Sequence, residues 1–390
     1  MTIRRAAALA CIALLLLFLP GTGLDARPAA PLDRLDDAAF WRMFTEFSEP
    51  DGAFRSENLV SNERTFPAVL PEVSRRASPS SAYIGVGPEQ NFSYLAALTP
   101  RIAFIVDVRR QNAMLHLLYK AIFELAPNRA EFLSRLFSRP RARHIGPQST
   151  ARDMLEAFAV GRPSRDLFTA NLDEITTLLT KRHGWPLGRE DLASLTHVYE
   201  SFFEIGPEIK YSMRSGRRGT PFPTFAQLMS ATDERRTAGS FLASESPYLV
   251  VRDLQTRNLI VPVVGDFAGT RAVAAVGGFL RERGLSVAVF YTSNVEMYLF
   301  RNDAWRTFYR NLASLPISRD SVVVRSAFRG FGMGYPGTGF PDPGRAPGGP
   351  AGAAASGAEG RLWLDPIEPL LAAVQRGTIT GYGDLLARMK

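Results

Sequence analysis

Cysteine is almost missing from this 390-residue chain, which carries Cys11 and no other. Cys11 lies inside the apolar run of residues 6–19, most of which follows it, so Ala8-Leu9-Ala10-Cys11 makes a poor lipoprotein box. Removal of that run with a leader leaves no thiol, which excludes a disulfide framework, thiolate metal sites and a cysteine nucleophile. A domain this large does not need staples, so the lack of disulfides does not argue against export. Histidine is sparse too. His144, His183 and His197 stand apart without paired metal-ligand spacing, and no metal is expected. His116 sits on an apolar segment, where a satisfied core residue is expected rather than a base. Gly-x-Ser-x-Gly does not occur, so a nucleophile elbow has no support. Lysine occurs only at Lys120, Lys181, Lys210 and Lys390, so the formal charge of +8, from 46 Lys and Arg against 38 Asp and Glu, is nearly all arginine. No dense basic block stands out, whereas a nucleic-acid module concentrates charge on one face or helix. Specific nucleic-acid binding is therefore not expected, and a small molecule is the expected partner.

Arg4 and Arg5 precede the apolar run, Pro20 and Gly21 break it, and Leu24-Asp25-Ala26 offers a small residue for cleavage. Residues 1–26 read as a secretory signal with a mature N-terminus near Arg27, and the protein as exported, periplasmic or secreted. The run falls short of the roughly 20 apolar residues that a membrane-spanning helix needs. A permanent anchor through residues 6–19 is the alternative, and membrane contact is expected only through an uncleaved signal.

With 46% hydrophobic residues, the chain can bury a sizeable core. In an opening helical segment and polar loop, 27–80, Leu35, Ala38, Ala39, Met43 and Phe47 fall near helical spacing before Pro50, Asp51 and Gly52. Ala82-Tyr83-Ile84-Gly85-Val86-Gly87 reads as a buried strand meeting a tight turn, and Pro88 suits the start of a helix closed by Thr99-Pro100. Ile102-Ala103-Phe104-Ile105-Val106-Asp107 is an apolar run ended by an acid, as in a parallel strand covered on both faces. A helix over 111–125 completes the first half of a Rossmann-like domain, 81–127. Across 128–250, helical periodicity broken by Pro and Gly predicts a helical insertion. The α/β pattern resumes over 251–327, with strands near 259–266, 286–291 and 321–325 and helices near 270–283 and 294–312. Pro262 is awkward in a central strand. Residues 328–360, rich in Gly, Pro and Ala, read as a mobile loop, and 361–390 as a helical tail docking through Leu370, Leu371, Val374, Leu385 and Leu386. The fold class is α/β: a doubly wound, mostly parallel Rossmann-like sheet with a large helical insertion.

Such sheets bind ligands beyond the carboxyl ends of their strands, where strand order reverses. Gly85-Val86-Gly87 permits a tight turn and close approach of a ligand, although glycines there can also serve packing alone. Asp107 follows Gly87 by 20 residues, the separation at which a carboxylate meets ribose hydroxyls. Gln90 stands at the third glycine position of the dinucleotide fingerprint, and Glu89 in the first helical turn would repel a pyrophosphate, which disfavours NAD. The same acid suits a ligand with an ammonium group and no phosphate. S-adenosylmethionine is such a ligand, with its ribose at Asp107 and its amino-acid end near the Gly85 to Glu89 loop. Arg109 and Arg110 would hold an extra phosphate or, more simply, begin a solvated helix. Asn58, Ser61, Asn62 and Glu63 form a polar cluster that folds over the crevice as a lid or, the commoner case, makes a surface turn.

The order of segments resembles the class I S-adenosylmethionine-dependent methyltransferase fold over 81–125 and 259–312. More closely, Tyr83-Ile84-Gly85-Val86-Gly87-Pro88-Glu89-Gln90-Asn91-Phe92, Asp107-Val108-Arg109-Arg110-Gln111-Asn112, Val264-Gly265-Asp266-Phe267-Ala268-Gly269 and Ser293-Asn294-Val295-Glu296-Met297-Tyr298-Leu299 are similar to segments of a family of bacterial proteins of unknown function. Tyr83 stands where the methyltransferase pattern has an acid, and Glu89 where it has a third glycine. The resemblance implies that Asp107 and Asp266 sit on neighbouring loops around one crevice. The expected cofactor-binding residues are Gly85, Gly87, Glu89, Asn91, Asp107, Arg109, Asp266, Phe267, Ser293 and Asn294. Methyl transfer from S-adenosylmethionine is one expected activity. An exported, non-catalytic binding protein that reuses the crevice is the alternative, because S-adenosylmethionine is made and used in the cytoplasm. Hydrolysis through Asp266 and a neighbour is a third reading, for which no nucleophile or metal set is visible.

Overall fold

A computed structural model describes residues 32–54, 56–211, 222–328 and 360–388. The expected leader, and the expected loop except for its two end residues, lie outside them. Helix α1 (Asp37–Glu46) starts where the Asp36 side chain accepts from the Ala39 amide at 2.6 Å, and it buries Phe40, Met43 and Phe44. Helix α2 (Leu70–Ser74) leads into β1 (Ser81–Gly85), α3 (Gln90–Leu98), β2 (Ile102–Asp107) and α4 (Arg110–Leu125). Every residue of β1 and β2 is buried, as strands covered on both faces require.

Helices α5 (Arg129–Phe137), α6 (Ala151–Val160), α7 (Arg165–Thr177), α8 (Arg189–Ile205), α9 (Phe225–Met229) and α10 (Glu245–Thr256) follow. Among the described residues between α4 and the next strand, the β-pairing is confined to two isolated bridges, Lys210 with Thr224 and Thr232 with Ala238. Cap residues set several starts: Asn128 accepts from the Glu131 amide, and Thr150 with Asp153 and Thr224 with Gln227 form capping boxes. Arg129, almost wholly buried, ties these helices together by donating to Leu242 O (2.7 Å), Pro147 O (2.9 Å), Ser149 O (3.0 Å) and the Glu245 carboxylate (3.0 Å). The helical layer shares the core of the sheet domain, since Phe202 and Phe132 meet Tyr119 of α4 and Phe241 meets Phe92 of α3.

The second half comprises β3 (Ile260–Val264), α11 (Ala272–Glu282), β4 (Ser286–Ser293), α12 (Val295–Arg301), α13 (Trp305–Ser314), β5 (Ile317–Phe328), β6 (Gly360–Pro366), α14 (Ile367–Gln375) and α15 (Tyr382–Leu386). The six strands form one sheet in the order β3-β2-β1-β4-β5-β6, parallel except for the β5–β6 pair. This is the doubly wound, Rossmann-like α/β arrangement, with strand order reversing between β1 and β4. Pro262 is accommodated because β3 is an edge strand. Ala103 N donates to Leu259 O and Gly265 N to Asp107 O, so odd-numbered residues bond β2 while Pro262 faces the outer edge.

The tail departs from an all-helical reading, because residues 360–366 pair with β5 before α14 and α15 dock through Leu370 and Leu385. Charge partners distant in sequence make that strand tolerable. Arg325 of β5 is buried and donates to Glu296 (2.6 and 3.1 Å) and to Asp365 of β6 (2.6 Å), and Arg388 closes on Asp365 (2.7 and 2.8 Å). Two cations thus meet two anions, and Tyr309 donates to Glu296 at 2.8 Å. Truncating one partner of such a network strands the others in a low dielectric. Arg325→Ala should therefore cost about 3–5 kcal/mol, seen as a lower denaturant midpoint. A loss under about 1 kcal/mol would show that the network does not hold β6.

Candidate ligand-binding crevice

The β1–α3 loop crosses the point where strand order reverses, and its two glycines have different reasons. A Cβ at Gly85 would collide with the Asn91 carboxamide and the Tyr83 ring, so Gly85 is set by packing. Gly87 has φ +76°, a left-handed conformation that favours glycine, and a Cβ there would meet nothing within 4 Å. Asn91 braces the loop from inside. Its amide donates to Val86 O (2.9 Å), Gly87 O (3.1 Å) and Pro88 O (2.7 Å), while its oxygen accepts from Tyr83 OH at 2.8 Å. Tyr83 is thus a loop brace where the methyltransferase pattern has an acid. His116 Nε2 lies 2.8 Å from Gly87 O, and burial lowers its pKa to about 4, so the ring is neutral.

Glu89 is not a solvated helix-start acid. It is fully buried, both its oxygens accept from the Ser61 amide (3.1 and 3.2 Å), and burial pushes its pKa up to about 7. Gln90 accepts from Ser61 Oγ at 2.6 Å and donates to Glu63 at 2.8 Å. Glu63, also wholly buried, accepts further from Tyr291 OH (2.7 Å), Ser326 Oγ (2.5 Å) and Ser293 Oγ. The polar cluster expected as a surface turn therefore forms a strap, with Ser61 and Glu63 buried over the ends of β1, β4 and β5. Ser293 reaches this carboxylate from a left-handed backbone (φ +52°). Asn294 precedes α12 half-exposed and makes no side-chain cap.

Asp107 and Arg109 form a buried ion pair rather than an open acid beside a solvated cation. Arg109 Nε and Nη2 donate to the two Asp107 oxygens, each at 3.0 Å, and the Arg109 amide adds a third bond at 3.0 Å. The guanidinium also holds the strap through Ser56 O (3.2 Å) and Glu57 O. Arg110 pairs instead with Asp191 of α8 (2.6 and 2.8 Å), joining the β2 end to the helical layer. Asp107 and Asp266 do lie on neighbouring loops, since Gly265 N donates to Asp107 O at 2.9 Å. Asp266 is exposed and accepts from the Ala268 amide at 2.8 Å, closing its own turn. Phe267 faces the core, edge-on to Phe290 at 4.8 Å, and does not line the crevice.

The structure thus gathers Gly85, Gly87, Glu89, Asn91 and Ser293 about one end of the sheet, with the Asp107–Arg109 pair alongside and Asp266 and Phe267 turned to other tasks. Sequence reasoning gave no role to Asn112 or Tyr119, whose buried polar atoms Asn112 Oδ1 and Tyr119 OH have no hydrogen-bond partner. It also passed over Glu49, which accepts from the Asp266 (3.0 Å), Arg271 (2.7 Å) and Ala272 (3.2 Å) amides and so caps the start of α11. A carboxylate bonded only to amides distant in sequence leaves no local pattern. No cluster of three or more His, Cys, Asp or Glu suited to a metal occurs among the described residues. No helix among them is long and apolar enough to cross a membrane.

Residues 58–341 match a family described as a domain of unknown function (DUF7790). No curated protein matches the chain. The matched region begins at Asn58, so it contains the strap residues Ser61 and Glu63 and excludes α1 and β6.

Because Glu89 keeps its proton to about pH 7 when folded, against a usual value of 4.5, its own contribution to stability is greatest below pH 4.5. It should fall by about 3 kcal/mol as pH rises through 7. Glu89→Gln should remove that slope while keeping an acceptor for Ser61, as read from urea unfolding of both proteins across this range. A difference between them that stays constant with pH would contradict the burial of Glu89.

Proposed function

For a chain that belongs to this family of unknown function, we propose the role of an exported, non-catalytic binding protein whose Rossmann-like crevice holds a small molecule beside the 56–63 strap. The observation that carries the reading is the Asp107–Arg109 pair. A ribose-binding acid must offer free oxygens, yet both oxygens of Asp107 are taken by a buried guanidinium that also anchors the strap. Replacing that cation by neutral hydroxyls would leave Arg109 buried without its partner, a cost of several kcal/mol. The residues as they stand do not fit S-adenosylmethionine in its expected pose, and no methyl-transfer step is built on them. Export of the chain, read from residues 1–26, agrees with a ligand other than a cytoplasmic cofactor.

Methyl transfer is the second reading, favoured by one observation: strands β3-β2-β1-β4-β5 run parallel with the glycine loop at the reversal, and the space beside Gly87 is open.

A thermal-shift panel of small metabolites that includes S-adenosylmethionine and S-adenosylhomocysteine tests both readings on the mature protein, recovered from the exported fraction with its N-terminus near Arg27. A ligand at 100 times its Kd should stabilise by about 2.7 kcal/mol. The binding-protein reading expects a shift from some metabolite and none from those two at millimolar concentration. Saturable binding of either would move the protein to the methyltransferase reading, and a panel without any shift would refute the binding function.

A further inference from the structure

One face of α4 carries a concentration of unmet hydrogen-bonding capacity. Asn112, His116 and Tyr119 are spaced four and three residues apart, which places them on one side of the helix. Asn112 Oδ1, His116 Nδ1 and Tyr119 OH are all buried without a partner. Buried polar atoms are normally satisfied, so three on one face call for something to bond them. The kind of group follows from the tautomer. Gly87 O can only accept, so the hydrogen in its 2.8 Å contact with His116 sits on Nε2, and Nδ1 of the neutral ring is a bare acceptor. Asn112 Oδ1 is an acceptor as well. Tyr119 OH can donate or accept, so a donor suits all three atoms, whereas a phosphate or carboxylate would bring acceptors that Tyr119 alone could meet.

Charge points the same way. Among the described residues, the carboxylates of Asp107, Asp191, Glu296 and Asp365 each have an arginine in contact. Glu63 and Glu89 have none, and where Glu63 accepts from four side chains, Glu89 accepts only from the amides of Ser61 and of Glu89 itself. Glu89 lies two residues beyond Gly87, whose carbonyl His116 holds, and burial first and Glu89 second raise the pKa of the Tyr119 hydroxyl. Beside Gly87 the space is open.

Resting on the binding function above, we propose that the ligand of this crevice is a small molecule bearing a protonated amine, whose N–H groups meet Asn112 Oδ1 and His116 Nδ1 and whose charge is balanced by Glu89, which releases its proton to solvent as the amine binds. The test uses the intact mature protein and matched probes: 1,4-diaminobutane and ethanolamine against 1,4-butanediol and inorganic phosphate, each followed by thermal shift and calorimetry. The two amines should bind and the diol and phosphate should not. Glu89→Gln, which keeps an acceptor for Ser61, should weaken amine binding at least about tenfold. Asn112→Leu, which removes an unsatisfied atom and should fold normally, should weaken it severalfold. Binding of the diol or phosphate without the amines would overturn the amine assignment while leaving the binding function intact. Amine binding unaffected in both variants would place the amine elsewhere and overturn it too. No shift from any of the four probes would mean that ordered water alone satisfies these acceptors, and would overturn the amine assignment, with the metabolite panel then deciding the binding function separately.

Discussion

Glu63 carries a carboxylate into the place where a doubly wound sheet ordinarily receives a ligand, and four donors from three elements converge on it: Gln90 of α3, Tyr291 and Ser293 of β4, and Ser326 of β5. An ion buried in this way loses several kcal/mol of hydration. Charge-assisted bonds worth about 1.5–3 kcal/mol each are of the size needed to offset that loss. The consequence is positional. The strap is held at the strand ends by its own side chain, Glu89 holds the Ser61 amide beside it, and Arg109 holds the Ser56 and Glu57 carbonyls. Removing any of these leaves an unsatisfied polar group under the others, so the three anchors are coupled.

The same device recurs at the rim of the sheet. Glu49 caps α11, Arg110 reaches Asp191 on α8, and Arg325 joins Glu296 to Asp365. Arginine is the recurrent partner because its planar fork serves a carboxylate and a carbonyl together, as Arg109 and Arg129 both do. Arg109, Arg129 and Arg325 are in this way part of the internal structure.

The sheet was legible in the sequence because its signals are local. The apolar runs at 82–86, 102–106 and 259–264 became β1, β2 and β3, and the glycine turn lies where the first run ends. Pro262 argued against a central strand, and β3 lies at the edge. The limits of the reading are non-local. Nothing near Glu63 announces Tyr291 or Ser326, more than 200 residues away, so a polar cluster looked like a surface turn. Asp107 and Arg109 are two residues apart, but that separation does not show that they face each other behind the strap. Phe267 sits beside an acid at a strand end, and only the packing of Phe290 and Phe308 turns it inward. β6 was hidden for the same reason, since Asp365 is acceptable in a strand once Arg325 and Arg388 are beside it.

Amide hydrogen exchange across residues 58–64 of the intact protein tests this account most directly. The Ser61 amide, bonded to the buried Glu89 carboxylate at 3.1 Å, should exchange as slowly as core strand amides such as those of β1. Glu63→Ala should bring it to the rate of an open loop. Rapid exchange at Ser61 in the unaltered protein would contradict the account, because the strap would then be a surface turn and the crevice would lie open.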